Sequence, residues 1–136
     1  MHALIVDDSS SARQMAEAAL DDALLELGKE AEIQIADGGV AALKILAAGE
    51  VNLLVVDLHM PDIHGIEVLN FWRSRGGKGP AIVLSTGVSE KDRDRAEKAG
   101  ATAFLEKPVC ADVILAVLQP YFENDSDDDG QPEVKK

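Results

Sequence analysis

The chain has 136 residues, of which 46% are hydrophobic and 28% are charged, so it is long enough for one folded domain and too apolar to be wholly disordered. Thirteen Lys and Arg residues against 25 Asp and Glu residues give a net charge of −12, which disfavours direct binding to nucleic acid or to an anionic membrane. No apolar run is long enough to span a membrane, no signal-peptide pattern is present, and a single cysteine, Cys110, excludes a disulfide framework. We therefore expect a cytoplasmic protein.

Five short apolar segments alternate with five longer segments of helical pattern. The runs at 53–56 and 82–84 are continuously apolar, which is typical of parallel strands buried on both faces. This alternation predicts an α/β domain with a doubly wound, five-stranded parallel sheet and helices on both faces. The predicted strands are residues 3–6, 32–36, 52–56, 81–85 and 101–105, and the predicted helices begin near residues 11, 38, 65, 89 and 111.

The fourth predicted helix, residues 89–99, consists mainly of charged residues of both signs. Within it only Ala96 and Ala99 are available to a core, so we expect it to be the least firmly held helix of the domain.

Residues 123–136 differ in composition from the rest of the chain. They contain six acidic residues and two lysines, a net charge of −4 (two minus six), and almost no apolar residues. Such a segment cannot contribute to a hydrophobic core. We expect the folded domain to comprise residues 1–122, with Pro120 ending or kinking the last helix, and residues 123–136 to form a disordered acidic tail.

Polar residues that can bind a ligand or take part in a reaction follow four of the predicted strands. Asp7 and Asp8 follow the first strand, Asp57 the third, Thr86 the fourth and Lys107 the fifth. The carboxyl ends of parallel strands share one edge of the sheet, where open α/β sheets bind their ligands. If the first and third strands are neighbours, the three aspartates converge in one pocket.

Three carboxylates in one pocket repel one another unless a cation lies among them. Hard oxygen ligands without histidine or cysteine suit Mg²⁺. The ammonium of Lys107 and the hydroxyl of Thr86 lie at the same edge of the sheet. Together with a nucleophilic aspartate, these groups can stabilise a phosphoryl group in transfer.

Each of these residues also has a purely structural interpretation. The Asp7-Asp8-Ser9 segment can serve as a helix N-cap, and Thr86 can cap the fourth helix. Asp62 is better explained as a turn residue than as a ligand, and Lys107-Pro108 can be a plain loop. The joint placement at four strand ends favours a site, because independent turn residues need not share one edge.

Four motifs stand in order along the chain: Asp7-Asp8, Asp57-Leu58-His59-Met60-Pro61 with Gly65, Ser85-Thr86-Gly87 and Phe104-Leu105-Glu106-Lys107-Pro108. With these motifs the chain resembles the receiver domain of bacterial response regulators, of the single-domain, CheY-like type. The resemblance covers residues 1 to about 122, with the matching residues in order and at suitable spacing. It implies a flavodoxin-like (βα)₅ fold with strand order 2-1-3-4-5.

The resemblance assigns a role to each residue of the predicted site. It implies that Asp57 is phosphorylated by a sensor histidine kinase or a histidine phosphotransfer protein. It also implies that Mg²⁺ is bound by Asp8, Asp57 and the backbone carbonyl of His59, with Asp7 acting mostly through water. Lys107 would contact the phosphoryl group, and its bond to Pro108 would be cis.

A second pair of residues is implied to transmit the signal. Thr86 and Phe104 would form a switch, in which the hydroxyl moves to the phosphoryl group and the ring fills the space that it leaves. Phe104 has no phenolic hydroxyl, so its outward signal must be one of packing. His59 and Val88 stand at positions that tune the lifetime of the phosphoryl group in this family.

We therefore predict a stand-alone response regulator of the chemotaxis or phosphorelay kind, a signalling switch rather than an enzyme, which assists its own phosphorylation and dephosphorylation. It would be a monomer or weak dimer, and it would bind a downstream protein through the face around helices 4 and 5, with nucleic acid and membrane excluded as partners. One alternative is a phosphate shuttle or sink without an output target.

Two alternatives from other classes are less well supported. An aspartyl-phosphate hydrolase of the haloacid dehalogenase type needs a second carboxylate two residues after the nucleophile, where this chain has His59. A flavodoxin-like cofactor binder needs a phosphate-binding loop after the first strand, where Asp7 and Asp8 would repel the phosphate.

Overall fold

Five parallel strands form a single sheet with the order β2-β1-β3-β4-β5. The structure is a computed structural model that describes residues 1–87 and 89–130, with side chains as far as residue 123. The predicted strand order 2-1-3-4-5 is confirmed, and β1 and β3 are neighbours on either side of the point where the order reverses. The strands are β1 (His2–Val6), β2 (Glu32–Ala36), β3 (Leu53–Asp57), β4 (Ala81–Ser85) and β5 (Ala103–Glu106).

Helices cover both faces of this sheet. They are α1 (Ser10–Glu26), α2 (Gly39–Ala48), α3 (Gly65–Ser74), α4 (Glu90–Lys98) and α5 (Ala111–Gly130). Successive strand residues point to opposite faces, so the core has two parts. Leu54 and Val56 pack on the side of α2, α3 and α4, whereas Leu53 and Val55 pack on the side of α1 and α5. The predicted doubly wound α/β fold is confirmed.

The two central strands are buried along their whole length, as their continuous apolar runs predict. Every residue of β3 and of β4 is buried, including Asp57 and Ser85 at their carboxyl ends. The edge strand β2 is more exposed, and its Ile35 is 38% exposed. Among the described residues, the buried polar side chains lie at or just after the carboxyl ends of three strands: Asp7 after β1, Asp57 in β3 and Ser85 in β4.

Local capping residues set the ends of several helices. The hydroxyl of Ser9 accepts a hydrogen bond from the backbone of Ala12 at the start of α1, and Gly28 with φ of 68° follows the end of that helix. Ser89 caps α4 by accepting from the backbone of Asp92. The structural alternative in which Thr86 caps the fourth helix is therefore wrong, because Ser89 holds that position.

Helix α5 is longer than the predicted 111–122, because its backbone is helical as far as Gly130. Pro120 lies inside it, so the prediction that Pro120 ends the helix is wrong, whereas the alternative of a kink stays a prediction: the fixed φ of proline is helical, but one backbone hydrogen bond is lost and the ring crowds the carbonyl four residues earlier. The predicted acidic tail, residues 123–136, overlaps the end of this helix and continues outside the described residues, so its disorder stays a prediction. Within the described part of the chain, no helix is both long and apolar enough to cross a membrane.

Candidate functional site

The sheet brings the predicted strand-end residues to one edge of the molecule. Asp7 follows β1 and is held by a 3.1 Å backbone hydrogen bond to Ala36, and Asp57 is the last residue of the neighbouring strand β3. Lys107 follows β5, and its backbone N–H donates to Ser85 at the end of β4 over 2.7 Å. Parallel pairing with this register makes the four strand ends level, so the convergence predicted for the aspartates and Lys107 is seen in the fold.

Three carboxylates meet at this edge. Asp7, Asp8 and Asp57 each place a carboxylate oxygen within 4.8 Å of the other two. Asp7 and Asp57 are 1% and 5% exposed, whereas Asp8 lies at the surface. This set of oxygen ligands, open on one side, fits a hard divalent cation such as Mg²⁺, which uses one or two carboxylates and keeps part of its water shell.

The ammonium of Lys107 lies between the two buried carboxylates. Its Nζ is 2.7 Å from Oδ2 of Asp7 and 3.2 Å from Oδ1 of Asp57. Burial alone would lower the pKa of Lys107, but the hydrogen bond to Asp7 and the charges of both carboxylates raise it above its usual value. The lysine therefore neutralises part of the charge of the cluster, an ion pair that sequence reasoning did not foresee.

Burial, which tends to lower the pKa of Lys107, acts in the opposite direction on Asp57, the candidate phosphoacceptor. The pKa of Asp57 is raised, first by burial and then by the charge of Asp7, and Lys107 opposes both effects without cancelling them. A carboxylate that is desolvated and crowded by a second carboxylate gains stability when further positive charge arrives. The site is thus electrostatically prepared for a cation.

Backbone and side-chain contacts from α1 fix the orientation of Asp7. The N–H of Ser9 donates to Oδ1 of Asp7 over 2.9 Å, and Nη1 of Arg13 donates to the carbonyl oxygen of Asp7 over the same distance. The interpretation of Asp7-Asp8-Ser9 as a helix cap is therefore correct for Ser9, while the two aspartates face the cluster.

The loop between β3 and α3, residues 58–64, wraps around Asp57. The N–H of Gly65 donates to the carbonyl of Leu58 over 2.8 Å, and a Cβ at Gly65 would lie 2.2 Å from the carbonyl oxygen of Asp57. Only glycine allows this close approach. His59 lies in this loop with an exposed side chain whose Nε2 is 3.7 Å from Oδ2 of Asp92 in α4.

The predicted switch residues lie on neighbouring strands. Thr86 is exposed just after β4 and lines a cavity of about 310 Å³ together with Lys107 and Met15. Phe104 is buried in β5, paired with Val83, and the guanidinium carbon of Arg93 in α4 lies 5.3 Å from the centre of its ring. In the sheet, Phe104 is thus level with Val83, which stands three residues before Thr86. Val88 lies outside the described residues.

Two further structural details bear on the expectations from the sequence. The peptide bond between Lys107 and Pro108 is cis, as the resemblance implied. Asp62, interpreted above as a turn residue, is more than that, because its carboxylate accepts hydrogen bonds from backbone N–H groups at the start of α2. The sequence does contain a signal for this contact: α2 begins at Gly38-Gly39 and has no capping side chain of its own.

Comparison with known proteins agrees with this geometry. The response regulator MprA of Mycobacterium sp. (strain KMS) is 30% identical over 127 residues, which are 93% of this chain and 53% of the relative. MprA of Mycobacterium leprae is 30% identical over 98% of this chain and 56% of its own length. The chain thus spans about half the length of the curated relatives it matches.

Solved structures match over almost their whole length. The chemotaxis protein CheY4 of Vibrio cholerae has a TM-score of 0.74 and 30% identity, with 88% of this chain and 96% of that chain covered. A CheY-like receiver domain protein of Methanospirillum hungatei has a TM-score of 0.75 over 92% and 95% of the two chains, and at 23% identity it shows the shared fold. Because the family described as response regulator receiver domain matches residues 3–119, this chain belongs to the receiver domain family of response regulators.

Proposed function

We propose that this receiver domain accepts a phosphoryl group on Asp57 from a phosphohistidine donor and thereby changes its binding to a partner protein. The observation that carries the proposal is the meeting of three carboxylates with the Lys107 ammonium at the carboxyl edge of the sheet. The donor would be a sensor histidine kinase or a histidine phosphotransfer protein.

Asp57 is the proposed nucleophile because it ends the central strand β3 and its carboxylate lies 3.2 Å from the ammonium of Lys107. One of its carboxylate oxygens forms a bond to phosphorus while the bond from phosphorus to the donor's imidazole nitrogen breaks, and the nitrogen keeps the electron pair. The product is an acyl phosphate. Because Asp57 is the last residue of β3, its backbone is held by the sheet, and the new phosphoryl group would project toward the open edge.

Lys107 is proposed to stabilise the phosphoryl oxygens. Its ammonium is held within hydrogen-bond distance of Asp7 and Asp57, so it needs only a small movement to reach a group attached to Asp57. Asp7, Asp8 and Asp57, with the backbone carbonyl of His59, are the proposed holders of Mg²⁺. When bound, Mg²⁺ would supply positive charge that offsets the carboxylates and the incoming phosphoryl oxygens.

The switch is proposed to run from Thr86 to Phe104. The hydroxyl of Thr86 is exposed beside Lys107, where it can donate to a phosphoryl oxygen, and the ring of Phe104 packs against α4 under Arg93. A movement of this ring would change the surface formed by α4, β5 and α5, which we propose as the face that binds the downstream protein. Chemotaxis or a phosphorelay is the proposed setting.

The proposed role is that of a switch which promotes its own phosphorylation and dephosphorylation. A dedicated hydrolase with an aspartyl-phosphate intermediate is disfavoured, because the residue two positions after Asp57 is His59, whose side chain is exposed and directed to Asp92. A phosphate shuttle uses the same site chemistry, and it differs in returning the phosphoryl group to a histidine phosphotransfer protein.

The test is labelling by a small phosphodonor, phosphoramidate, in the presence of Mg²⁺. Asp57→Asn should abolish the hydroxylamine-sensitive label, because an amide is not a nucleophile toward phosphorus. Asp21→Asn removes an exposed aspartate of α1 and serves as the matched control, which should be labelled like the wild type. Full labelling of the Asp57→Asn protein would place the phosphoacceptor at another residue and contradict the proposal.

A further inference from the structure

We propose that Asp62 is a positioning residue for phosphorylation, which holds the loop between β3 and α3 against the start of α2 and so places the His59 carbonyl for Mg²⁺. The proposal rests on the function proposed above. It concerns a residue outside the carboxylate cluster, whose side chain contacts the start of α2.

The carboxylate of Asp62 joins two segments that are distant in sequence. Its Oδ1 accepts from the backbone N–H of Gly39 over 3.0 Å and from that of Ile63 over 2.8 Å. Its Oδ2 accepts from the N–H of Val40 over 3.0 Å. Asp62 is thus the capping residue of α2, contributed by a loop 23 residues further along the chain.

Glycines at the start of α2 make this approach possible. A Cβ at Gly38 would lie 3.0 Å from Oδ2 of Asp62, and a Cβ at Gly39 would lie 2.5 Å from the Cβ of Ile63. Any side chain at residue 39 would therefore push the loop outward. The glycines at the start of α2 provide no capping side chain, but a larger residue there would exclude the loop.

The electrostatics of the contact favour the charged form of Asp62. The backbone N–H groups of Val40 and Gly39 lower the pKa of its carboxyl group, although the side chain lies at the surface. These N–H groups form the positive end of the α2 dipole. The contact therefore persists as a charged hydrogen bond at neutral pH.

The loop fixed by Asp62 is the one that carries a proposed Mg²⁺ ligand. It begins at Leu58, whose N–H donates to Leu84 over 2.8 Å, and returns at Gly65, whose N–H donates to Leu58 over 2.8 Å. His59 lies between Leu58 and Asp62 along this loop, and its backbone N–H favours the charged form of the Asp57 carboxyl group, which lowers the pKa of Asp57. Partners that orient metal ligands contribute strongly to metal affinity, so the contact should be felt as Mg²⁺ affinity.

The first test measures the dissociation constant of Mg²⁺ by calorimetry and the rate of phosphorylation by phosphoramidate at saturating Mg²⁺. We expect Asp62→Ala to weaken Mg²⁺ binding by about tenfold, with a phosphorylation rate near that of the wild type once the site is saturated. Asp62→Asn keeps one oxygen acceptor and should lie between the two. Asp37→Asn removes a nearby exposed charge and should leave both values unchanged.

The second test measures hydrogen exchange at the start of α2 and needs no metal. In the metal-free protein, the amides of Gly39 and Val40 should exchange faster with solvent in Asp62→Ala than in the wild type.

Gly39→Ala leaves the carboxylate intact but displaces Ile63, and it should weaken Mg²⁺ binding as well. This second variant keeps the proposal open to test if Asp62→Ala folds poorly.

Several outcomes would contradict the proposal. If Asp62→Ala lowers the melting temperature but leaves the Mg²⁺ dissociation constant unchanged, then Asp62 has a structural role only. A slower reaction at saturating Mg²⁺ with unchanged Mg²⁺ affinity would also overturn it. Failure of the proposed function would look different, because the wild type itself would then neither bind Mg²⁺ nor become phosphorylated.

Discussion

Lys107 shows how a single residue can serve the resting and the reacting state of a site. Its ammonium lies 2.7 Å from Asp7 and 3.2 Å from Asp57, and its side chain is largely buried. A cluster of three carboxylates without this ammonium would carry unbalanced charge at an edge of low solvent access. The resting site is therefore held together by the group that is proposed to contact the phosphoryl oxygens.

The first prediction at the residue scale concerns this ion pair. Lys107→Ala should lower the free energy of unfolding of the metal-free protein by about 2 kcal/mol, because charged hydrogen bonds are lost and the carboxylates are left unpaired. Excess Mg²⁺ should reduce the deficit, since its charge can replace that of the lost ammonium beside the carboxylates, and the folded variant should therefore gain more from Mg²⁺ than the wild type does. Urea unfolding in EDTA and in Mg²⁺ measures both effects, with the exposed Lys91→Ala as control. An equal deficit in both buffers would mean that Lys107 does not balance the cluster.

The second prediction at this scale is a pH dependence. The pKa of Asp62 in the folded state is lowered from the ordinary 3.8 by hydrogen bonds from Val40 and Gly39. A lowered pKa stabilises the fold above the unfolded-state value, and this contribution is lost as pH falls through the folded-state value. The stability advantage of the wild type over Asp62→Asn should thus be constant near neutral pH and shrink as the pH falls below about 4. Urea unfolding of both proteins at a series of pH values checks this, and an advantage that grows with acidity would contradict it.

At the scale of elements, α4 differs from its neighbours in how little of it is buried. Ala96 is its single buried residue, whereas α1 and α3 bury five residues each. Two surface contacts supplement this small core contribution. The guanidinium of Arg93 lies over the ring of Phe104, and the carboxylate of Asp92 lies 3.7 Å from Nε2 of His59. The helix proposed to report phosphorylation therefore contacts both Phe104, the proposed switch ring, and the loop that carries His59.

Hydrogen exchange tests this description of α4. We expect its amides to exchange at least about tenfold faster than those of α3, because few apolar contacts oppose its opening. Arg93→Ala should speed exchange in α4 by a further factor of about two to five, since a cation–π contact at an exposed site contributes about 0.5–1 kcal/mol. Lys91→Ala is the matched control on the same helix. Protection of α4 equal to that of α3 would show that its small buried face does not limit its stability.

The elements also show what the sequence can and cannot predict. The apolar runs at 53–56 and 82–84 were sufficient to place the buried strands, and the residues that follow them were sufficient to place the site. The contact of Asp62 with α2 was missed because the Gly38-Gly39 start of α2 signals that a cap is needed but does not indicate that the cap comes from a residue 23 positions further along the chain. The end of α5 was placed too early, at residue 122, because the acidic residues that follow were taken to form a tail, whereas the backbone is helical as far as Gly130.

At the scale of the whole molecule, core and charge are segregated along the chain. The last described side chains that pack on the core are Leu118 and Phe122, both on the face shared with α1. The residues beyond Phe122 contribute −4 of the total charge of −12, as six acidic residues and two lysines. The folding of the domain and the electrostatics of its carboxyl-terminal end should therefore be separable.

Truncation after Phe122 makes this separation testable. Residues 123–136 contain a single hydrophobic residue, Val134, so their removal should change the free energy of unfolding by less than about 0.5 kcal/mol, the usual range for surface changes. It reduces the net charge to −8, from −12 minus −4. Association with a basic partner should then slow at low salt, and the difference should vanish at high salt. Urea unfolding measures the first effect, and stopped-flow binding to a polylysine peptide measures the second. A loss of several kcal/mol on truncation would mean that the carboxyl-terminal segment is part of the folded domain and not an addition to it.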